Sequence, residues 1–355
     1  SSIAGVQWCF GLFDRAFGPV DPIMGKVRKR PTHVHVNRID MTAYEELTNK
    51  ATMGVSLDIG VVGGGLSGMF AARLLSDLGH NVTVWDKGSR IGGRLTGWQT
   101  DEGTEIHLGA RALDSMPRWM DRFVDEWARL GLVRREGDSL VPSAPLPELL
   151  KHLSEGSSIC LGSRVSGLEI MGEGIQVTTK SEGDGEVCRY DRVIVAVPVE
   201  QASEISTDLG IDIDGESIPS IVAWGFCDLI PEEVPEGFRI HDLGNSTAMV
   251  ELSTEMSGRL IDQDKLSLSK IITDSIGISG EGWKAHKWRY SRASSGPGSV
   301  VTKDGVSFIG DAFGNDIGSA GASLDSASRA VSNLHLSVLE PAFGRRPVQS
   351  SLTDW

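Results

Sequence analysis

Apolar runs and amphipathic segments alternate along the chain from residue 57 onward. Residues 59–62 form an apolar run that predicts a buried strand, and residues 69–78 carry the period of an amphipathic helix. A second apolar run at residues 81–85 predicts the next strand. Strand, helix and strand in this order predict a βαβ unit, in which the two strands lie parallel in one sheet.

The turn between the first strand and the helix is rich in glycine. Its spacing, GxGxxG, allows a tight turn, close approach of a pyrophosphate and close packing of the helix on the strand. N–H groups at the start of the helix would face the phosphates. The predicted phosphate contacts are Gly63, Gly65, Leu66, Ser67 and Gly68. Asp86 follows the second strand, where its carboxylate can accept both hydroxyls of a ribose.

The middle of the chain predicts further elements of the same domain. Residues 118–130 have the apolar spacing of an amphipathic helix. Residues 163–170, 174–179 and 187–190 predict an antiparallel meander with polar turns, and residues 191–198 predict another buried strand.

The last third of the chain predicts a second unit and a closing element. Residues 199–285 predict a mixed arrangement of short strands and a helix. An apolar strand at residues 306–309 then ends in Gly310 and Asp311, and a glycine-started helix follows near Gly321.

Composition narrows the classes of partner. The 355-residue chain has a net charge of −14, which argues against nucleic acid. No apolar run is long enough to span a membrane, and there is no secretory signal pattern, so we expect a soluble protein of the cytoplasm or of an organelle interior such as the mitochondrial matrix or a plastid. The four cysteines form no CxxC pair and no zinc spacing, so we expect neither disulfides nor a metal.

The first 38 residues differ in charge from the rest of the chain. They contain six basic and two acidic residues, and they include bulky side chains such as Trp8, Phe10 and Phe13. Three interpretations stay open: this segment wraps its own acidic body, docks on a protein partner, or touches an anionic membrane surface. We favour docking, on the body or on another subunit. Residues 40–50 predict a short capped helix.

A second glycine motif follows Asp86. Residues 87–94 have the sequence Lys-Gly-Ser-Arg-Ile-Gly-Gly-Arg. This segment resembles the second glycine motif of flavoproteins of the amine-oxidase type, and more closely that of renalase and bacterial renalase-like proteins. In that family the segment folds over FAD. The resemblance therefore implies that Lys87, Gly93 and Arg94 contact FAD, with Arg94 neutralising the pyrophosphate.

The resemblance covers roughly residues 56–336 and implies further contacts with FAD. The turn at residues 107–111 would run beside the flavin ring, the backbone of Val165 would hydrogen-bond the adenine, and Asp311 would bind the ribityl chain. The helix near Gly321 would point free N–H groups at the flavin edge that becomes negative on reduction. The contacts implied in these segments are Gly109, Ala110, Arg111, Val165, Gly310, Asp311, Gly321 and Ala322.

Together these features predict an α/β protein. A Rossmann-type FAD-binding domain, with a parallel sheet and an antiparallel meander, would be joined by a smaller mixed α+β substrate domain and an N-terminal extension. The predicted boundaries are residues 1–54 for the extension, 55–198 and 286–338 for the FAD-binding domain, 199–285 for the substrate domain or lid, and 339–355 for a C-terminal tail.

A flavin would carry the redox chemistry, so no protein nucleophile is required. The strand around residues 285–292 resembles one that returns from the lid to the flavin pocket in this family. Trp288 and Tyr290 on it are candidates for sandwiching an aromatic substrate, and an ordinary core strand is the alternative. His107, His241 and His286 are each predicted to be structural, so the catalytic residues stay unassigned.

The resemblance implies an FAD-dependent oxidoreductase of the renalase type. Such an enzyme accepts hydride at flavin N5 from a dihydronicotinamide, or from another small aromatic or amine donor, and passes electrons to oxygen. Two alternatives stay open. One is an amine oxidase or desaturase-like flavoenzyme, and the other is an FAD-binding accessory or structural subunit of a larger complex, held by residues 1–38.

Overall fold

The computed structural model describes residues 56–99, 105–180, 185–227, 229–244, 246–279 and 282–343. The predicted extension, including its helix at residues 40–50, lies outside the described residues, and so do residues 344–355 of the predicted tail. No helix within the described ranges combines the length and the apolar character needed to cross a bilayer.

The described residues form seventeen strands and seven α-helices. In chain order the strands are β1 (Asp58–Val62), β2 (Asn81–Trp85), β3 (Gly97–Gln99), β4 (Glu105–His107), β5 (Val133–Glu136), β6 (Ser139–Pro142), β7 (Ser158–Cys160), β8 (Arg164–Met171), β9 (Gly174–Lys180), β10 (Val187–Tyr190), β11 (Arg192–Val195), β12 (Ser217–Phe226), β13 (Phe238–Gly244), β14 (Thr247–Leu252), β15 (Lys284–Ala293), β16 (Val301–Lys303) and β17 (Val306–Phe308). The helices are α1 (Leu66–Asp77), α2 (Asp121–Arg129), α3 (Leu146–Ser154), α4 (Val199–Thr207), α5 (Thr254–Leu260), α6 (Lys265–Ile276) and α7 (Ala320–Phe343).

The predicted parallel sheet is confirmed. Six strands lie in the order β16-β17-β11-β1-β2-β7, and all neighbours are parallel except the antiparallel pair of β16 and β17. This order, with β1 in the middle, is that of a Rossmann fold, whose ligands bind at the carboxyl ends of the strands. Gly63, Asp86, Ala196 and Ile309 directly follow four of these ends, so they share one edge of the sheet.

The predicted meander is also present. Strands β8, β9 and β10 form a three-stranded antiparallel sheet, with a register shift between Val165 and Gly167. Its inner face packs Leu168 and Val177 against Val195 of the main sheet, in one buried apolar cluster. The meander therefore shares its core with the parallel sheet.

A second sheet is built from β13, β14, β12 and β15 in that order, and its strands are antiparallel. On β14, Ala248, Val250 and Leu252 pack with apolar residues of α6, whereas Met249 packs on the opposite face. This opposite face is turned towards the larger unit, because Leu108 packs on it. We call it the cleft face.

The second unit differs in detail from the sequence interpretation. The sequence predicts strands near residues 221–226, 238–240 and 248–252, and each is longer in the structure. All of β15 pairs with β12, from Lys284 to Ala293, although the predicted boundary passes through it. The domain boundaries themselves stay a prediction.

Helices α4 and α5 were not expected from the sequence, and α7 is longer than expected. Helix α4 is weakly patterned, because serine, threonine and glutamate fill most of its positions, and it is held by Val199 and Ala202 in the core beside the meander. Helix α7 extends to Phe343, so the predicted tail at residue 339 begins inside it. In α4 and α7, tertiary packing stabilises helical residues that local propensity alone does not predict to be helical.

The main core lies around α1. Its Phe70 is fully buried, and the ring meets Phe123 edge-on with 5.1 Å between centroids and Trp127 with 6.3 Å. Leu324 and Val331 of α7 belong to the same cluster. Aromatic contacts of this geometry stabilise a core beyond the area they bury.

Two buried histidines are His80, just before β2, and His335 on α7. His80 Nδ1 accepts a hydrogen bond from Leu57 N at 3.2 Å, and the His80 and His335 rings lie 5.9 Å apart. His80 Nε2 and His335 Nδ1 have no partner among the described residues. Burial, assisted by the neighbouring His80, lowers the pKa of His335 to about 4, and burial lowers the pKa of His80 as well.

We predict that acid destabilises the protein through this pair. Below pH 6.5 a histidine in the unfolded chain becomes protonated, whereas His335 in the folded protein stays neutral until about pH 4. The free energy of unfolding should therefore fall with decreasing pH in this window, by at most about 1.4 kcal/mol per unit for each such histidine. Chemical denaturation of wild type and His335→Leu at several pH values tests this.

The variant should show a shallower pH slope whatever its packing cost at pH 8, because the packing cost does not depend on protonation. An equal slope in both proteins would contradict the assignment.

Candidate cofactor and substrate site

The glycine turn after β1 is held in a shape that only glycine allows. Gly63 has φ at 107°, and its N–H donates to Trp85 O at 2.8 Å. A Cβ on Gly68 would lie 1.9 Å from Gly63 O, so a side chain there would push α1 off the strand. A Cβ on Gly65, by contrast, would meet no atom within 4 Å. Two glycines thus serve packing, and the third faces open space.

The start of α1 offers donors beside that space. Its first helical hydrogen bond runs from Met69 N to Gly65 O at 2.9 Å. The N–H groups of Leu66 and Ser67 come before it, in the first turn, where N–H groups lack partners within the helix. They are oriented as a phosphate-binding helix start requires.

Asp86 joins the two glycine motifs. Its carboxylate accepts Gly64 N and Gly88 N, each at 2.6 Å. Gly92 N also donates to Gly64 O at 2.9 Å. Each carboxylate oxygen still has a free lone pair, so Asp86 can both hold the loops together and accept a ribose hydroxyl.

The two glycine motifs lie side by side after β1 and β2, and we call the surface they form together the cradle. A Cβ built on Gly93 would lie 3.6 Å from Gly65 Cα, so the two backbones face each other without side chains. Lys87 lies at the same end as Asp86, and burial, together with the charge of Arg164, lowers its pKa. These residues fit a dinucleotide cofactor, although their contacts with it stay predictions.

Val165 lies close to this end of the cradle. It is buried near the start of β8, and the loop before it is tied to the second motif by Ser163 N to Asp86 O and Gly162 N to Gly88 O, both 2.9 Å. A position beside the ribose acid is consistent with the predicted adenine contact, which stays a prediction.

Arg94 and Asp311 are paired with each other. Arg94 Nη1 lies 2.5 Å from Asp311 Oδ2, and Nη2 lies 3.0 Å from Oδ1. Ala293 N donates to the same carboxylate at 2.8 Å. Burial opposes ionisation, but the Arg94 charge and these hydrogen bonds outweigh it and lower the pKa of Asp311. The predicted contacts of Arg94 with the pyrophosphate and of Asp311 with the ribityl chain stay predictions. Each residue would make its contact while it is paired with the other.

The turn after β4 packs on the backbone of Arg94. Ala110 N donates to Arg94 O at 2.9 Å, and a Cβ on Gly109 would lie 2.0 Å from the same oxygen. Trp288 covers this place: Nε1 donates to Gly93 O at 3.4 Å, and its ring would lie 3.6 Å from a Cβ on Gly109. The structure therefore brings predicted cofactor residues and the predicted aromatic residue together.

Tyr290 is placed differently from Trp288. It lies two residues further along β15, where the pairing with β12 shifts register between Ile218 and Ser220. It is half-buried. Its role in a substrate sandwich stays a prediction.

The N-terminus of α7 differs from expectation. The helix begins at Ala320, whose N–H donates to Asp114 Oδ1 at 2.8 Å, and Gly321 N donates to Asp114 O at 3.0 Å. Ala322 N donates to Ser319 Oγ at 2.9 Å. The prediction that these groups are free is thus wrong, because the distant Asp114 and the adjacent Ser319 cap the helix. Gly310, whose N–H donates to Ser326 Oγ at 3.0 Å, links β17 to the same helix.

The cleft face carries an aromatic cluster that the sequence did not single out. Trp224 on β12 and Trp98 on β3 lie 5.8 Å apart, and both pack with Trp288. His286 lies 4.3 Å from the Trp288 ring, and burial, with the charge of Lys265, lowers the His286 pKa to about 4. His286 is therefore neutral at neutral pH. Alternation along β15 could have grouped His286 with Trp288, but Trp224 lies on β12 and joins them only through the pairing of the two strands.

Arg111 extends away from the cradle. Its Nη1 donates to His241 Nδ1 at 2.6 Å, and His241 Nε2 lies 3.3 Å from Glu251 Oε2. Because arginine only donates, His241 is neutral and carries its proton on Nε2. Burial and the Arg111 charge lower the His241 pKa accordingly. The structure thus directs the Arg111 side chain to the second sheet, and its contact with a cofactor stays a prediction.

Two further kinds of side chain in the described part of the chain are the possible metal ligands and the cysteines, which are unpaired. No group of three or more histidine, cysteine or acidic residues is arranged to hold a metal ion there. Cys160, Cys188 and Cys227 are free thiols.

The geometry defines a Rossmann-type dinucleotide-binding fold with an aromatic cleft beside the cradle. Comparisons of sequence agree with this class. Residues 61–127 match the family described as NAD(P)-binding Rossmann-like domain, and residues 121–212 match the family described as flavin containing amine oxidoreductase. These matches support a flavin amine-oxidase type of protein and FAD as its cofactor.

Curated relatives match over short segments. The carotenoid phi-ring synthase of Streptomyces griseus is 36% identical over 93 residues, which cover 25% of this chain and 16% of the relative. An L-amino-acid oxidase of Mus musculus is 40% identical over 81 residues, which cover 21% of this chain and 13% of the relative. The similarity therefore spans a small part of each relative.

Solved structures share the fold. A putative protoporphyrinogen oxidase from Exiguobacterium sp. 255-15 superposes with a TM-score of 0.56 at 12% identity, covering 80% of this chain and 99% of that one. The anhydrotetracycline hydroxylase OxyS from Streptomyces rimosus gives a TM-score of 0.53 at 16% identity, covering 82% and 64%. At this identity the likeness concerns the fold alone.

We predict that Asp86→Ala weakens FAD binding by roughly 1–3 kcal/mol, because the ribose loses a charged acceptor and two N–H groups lose their partner. Titration of apoprotein with FAD measures the dissociation constant. Asp77→Ala is a matched control, since Asp77 is an exposed acid on α1 that pairs with Arg73. Unchanged FAD affinity in Asp86→Ala would remove Asp86 from the cofactor site.

Proposed function

We propose that this protein is an FAD-dependent oxidoreductase that takes hydride from a small planar donor, namely a dihydronicotinamide or another aromatic or amine compound, and passes the electrons to oxygen. The proposal rests on one contact, between a side chain of the cleft face and the backbone beside the cradle. Trp288, on the second sheet, lies directly on the backbone of Gly93 and Gly109. A planar donor bound on the cleft face would therefore lie next to the cofactor cradle.

The cradle residues would bind and orient the cofactor. Gly65 faces open space, where the pyrophosphate would lie, and the first N–H groups of α1 would face it. Asp86 accepts at the ribose. FAD, when bound there, supplies the hydride acceptor and delivers two electrons to oxygen, which becomes hydrogen peroxide with two protons.

The cleft residues would position the donor and exclude water. Trp98, Trp224 and Trp288 offer flat apolar surfaces, which suit a planar ring. His286, the imidazole closest to Trp288, is neutral at neutral pH and carries no charge that a cationic product would have to overcome. A dihydropyridine carbon releases hydride without a protein base, so the absence of an assigned base is compatible with this donor.

An amine oxidase is the second candidate. The short segments shared with L-amino-acid oxidases favour it, because those proteins act on amino acids by name. An amine donor would need its nitrogen deprotonated before hydride loss. The two donors thus differ in the expected dependence of the rate on pH.

We predict that anaerobic addition of partly isomerised NADH bleaches the flavin absorption of the purified holoprotein, and that air restores it. Amines and L-amino acids are tested in parallel. Bleaching by an amine alone would select the second candidate. Flavin bands that persist with every donor would contradict the enzymatic proposal and favour a structural FAD subunit.

A structural role would depend on the N-terminal segment. We propose that residues 1–38, with six basic and two acidic residues, dock on an acidic protein partner. Deletion of residues 1–38 should leave FAD bound, because the cradle lies within residues 63–94, and should reduce the native mass of the assembly measured by analytical ultracentrifugation.

Replacement of Lys26, Arg28, Lys29 and Arg30 by glutamine should weaken the assembly in the same way without shortening the chain. Loss of FAD on deletion would instead show that the segment packs on the cofactor domain.

A further inference from the structure

The turn after β4 joins the larger unit to the second sheet. On one side Ala110 N donates to Arg94 O, in the second glycine motif, at 2.9 Å. On the other side Leu108 packs with Met249 in the apolar cluster of the cleft face. The same turn therefore contacts both the cradle and the sheet, and the next residue along it is Arg111.

Arg111 reaches from this turn to β13, the strand at one edge of the second sheet. His241 on β13 is paired in register with Met249, so its side chain lies on the cleft face. Arg111 Nη1 lies 2.6 Å from His241 Nδ1, and His241 Nε2 lies 3.3 Å from Glu251 Oε2 on β14. The three side chains form a line of hydrogen bonds that joins the larger unit to the outer edge of the sheet.

This arrangement requires a neutral imidazole. A guanidinium only donates, so His241 Nδ1 accepts from Arg111, and the single ring proton is on Nε2, where it faces Glu251. A protonated imidazole carries N–H groups on both nitrogens. Its Nδ1–H would meet the N–H of Arg111, with two positive charges at hydrogen-bond distance. Proton uptake by His241 and the Arg111 contact therefore exclude each other.

The surroundings of His241 lower its pKa from the usual 6.5. Burial is the largest cause, since the side chain is 19% exposed. The charges of Arg111, from the turn, and of Arg239, two positions earlier on β13, act in the same direction, whereas Glu251 on β14 acts against them. The Arg111 contact is therefore complete above pH 6.5 and is lost as the pH falls through the lowered pKa.

Loss of this contact affects the outer edge of the cleft face. Glu251 Oε2 lies 4.0 Å from Arg111 Nη2 and is closer to His241, so a protonated imidazole keeps the carboxylate. The Arg111 side chain is 42% exposed, and water can replace the partner that it loses. The apolar contact of Leu108 does not depend on charge, so the turn stays on the sheet at that point.

We propose that Arg111 forms a strap across the outer edge of the cleft, which neutral His241 and Glu251 hold in place and which proton uptake by His241 releases. At neutral pH the turn is held to the second sheet by a polar and an apolar contact. In acid it keeps the apolar contact and loses the polar one. The strap does not depend on which donor the cleft accepts.

The titration of His241 tests the electrostatic coupling in the purified holoprotein. NMR with isotope labelling at the histidine rings follows each imidazole, and His241→Gln identifies the signal of His241. Arg111→Met should raise the pKa of His241, because a repelling charge is lost, and Glu251→Gln should lower it. A pKa that neither variant moves would overturn the proposal.

Amide exchange in the turn tests the strap itself. The N–H groups of Gly109 and Ala110 donate to Thr96 O and Arg94 O, and they directly precede Arg111. Hydrogen–deuterium exchange at these two amides is corrected for the intrinsic effect of pH. In wild type it should rise roughly two- to fivefold from pH 8 to the acid side of the histidine titration, the range expected for loss of one partly exposed contact.

Three variants fix the strap in one state. His241→Gln offers an amide that can accept from Arg111 and donate to Glu251 at any pH, so the turn should stay protected in acid. His241→Ala and Arg111→Met cannot form the strap, and the turn should exchange at the acid rate already at pH 8. Arg111→Met leaves the sheet unchanged, so it serves if His241→Ala does not fold.

His152→Gln is the matched control. The His152 side chain is 16% exposed and also lies beside a carboxylate, with Nε2 3.5 Å from Glu126 Oε1. This variant should keep the wild-type acid response of the turn. Exchange in the buried helix α1, measured in the same samples, separates release of the strap from acid unfolding of the whole protein.

Two results would overturn the strap. One is an acid response of the turn that is equal in wild type and His241→Gln, and the other is full protection of the turn in Arg111→Met at pH 8. None of these measurements uses a donor, so their outcome is independent of the proposed oxidoreductase activity.

Discussion

The buried ion pair of Arg94 and Asp311 joins parts of the chain that are 217 residues apart. Arg94 also donates to Ser291 O at 3.1 Å, and Asp311 also accepts from Ala293 N. The pair thus connects the second glycine motif, the end of β15 and the turn after β17. The Asp311 side chain is 6% exposed, so loss of one partner would leave a buried charge at a cost of about 3–5 kcal/mol.

This connection determines how the second sheet meets the cradle. Ser291 and Ala293 belong to β15, and Trp288 lies a few residues before them on the same strand. Because β15 is anchored at its end, Trp288 lies on the backbone of Gly93 and Gly109, where it closes the inner end of the cleft. A cofactor in the cradle and a donor on the cleft face would share this boundary. The position of Trp288 on this backbone is therefore supported by the Arg94–Asp311 pair, which anchors the end of β15.

The inner and outer parts of the cleft face differ in charge. Its inner part is aromatic, with a neutral His286, and its outer edge holds Arg111, Arg239, His241 and Glu251. Burial keeps the inner imidazole uncharged, and the arginines are placed where solvent supports their charge.

Sequence alone determined the βαβ unit, the glycine turn, the acid that follows β2 and the meander, because these features follow from short-range rules of periodicity and spacing. The flavin was implied by the resemblance to a family, and the family match agrees with it. The carboxyl-edge positions of Gly63 and Asp86 required nothing further. Tertiary structure alone decided that Arg94 pairs with Asp311, that Asp114 caps α7, that Arg111 faces His241 and that Trp98 joins Trp224. Each of these contacts joins residues more than a hundred positions apart, and no local pattern encodes which of many exposed or apolar side chains will meet when separate sheets pack.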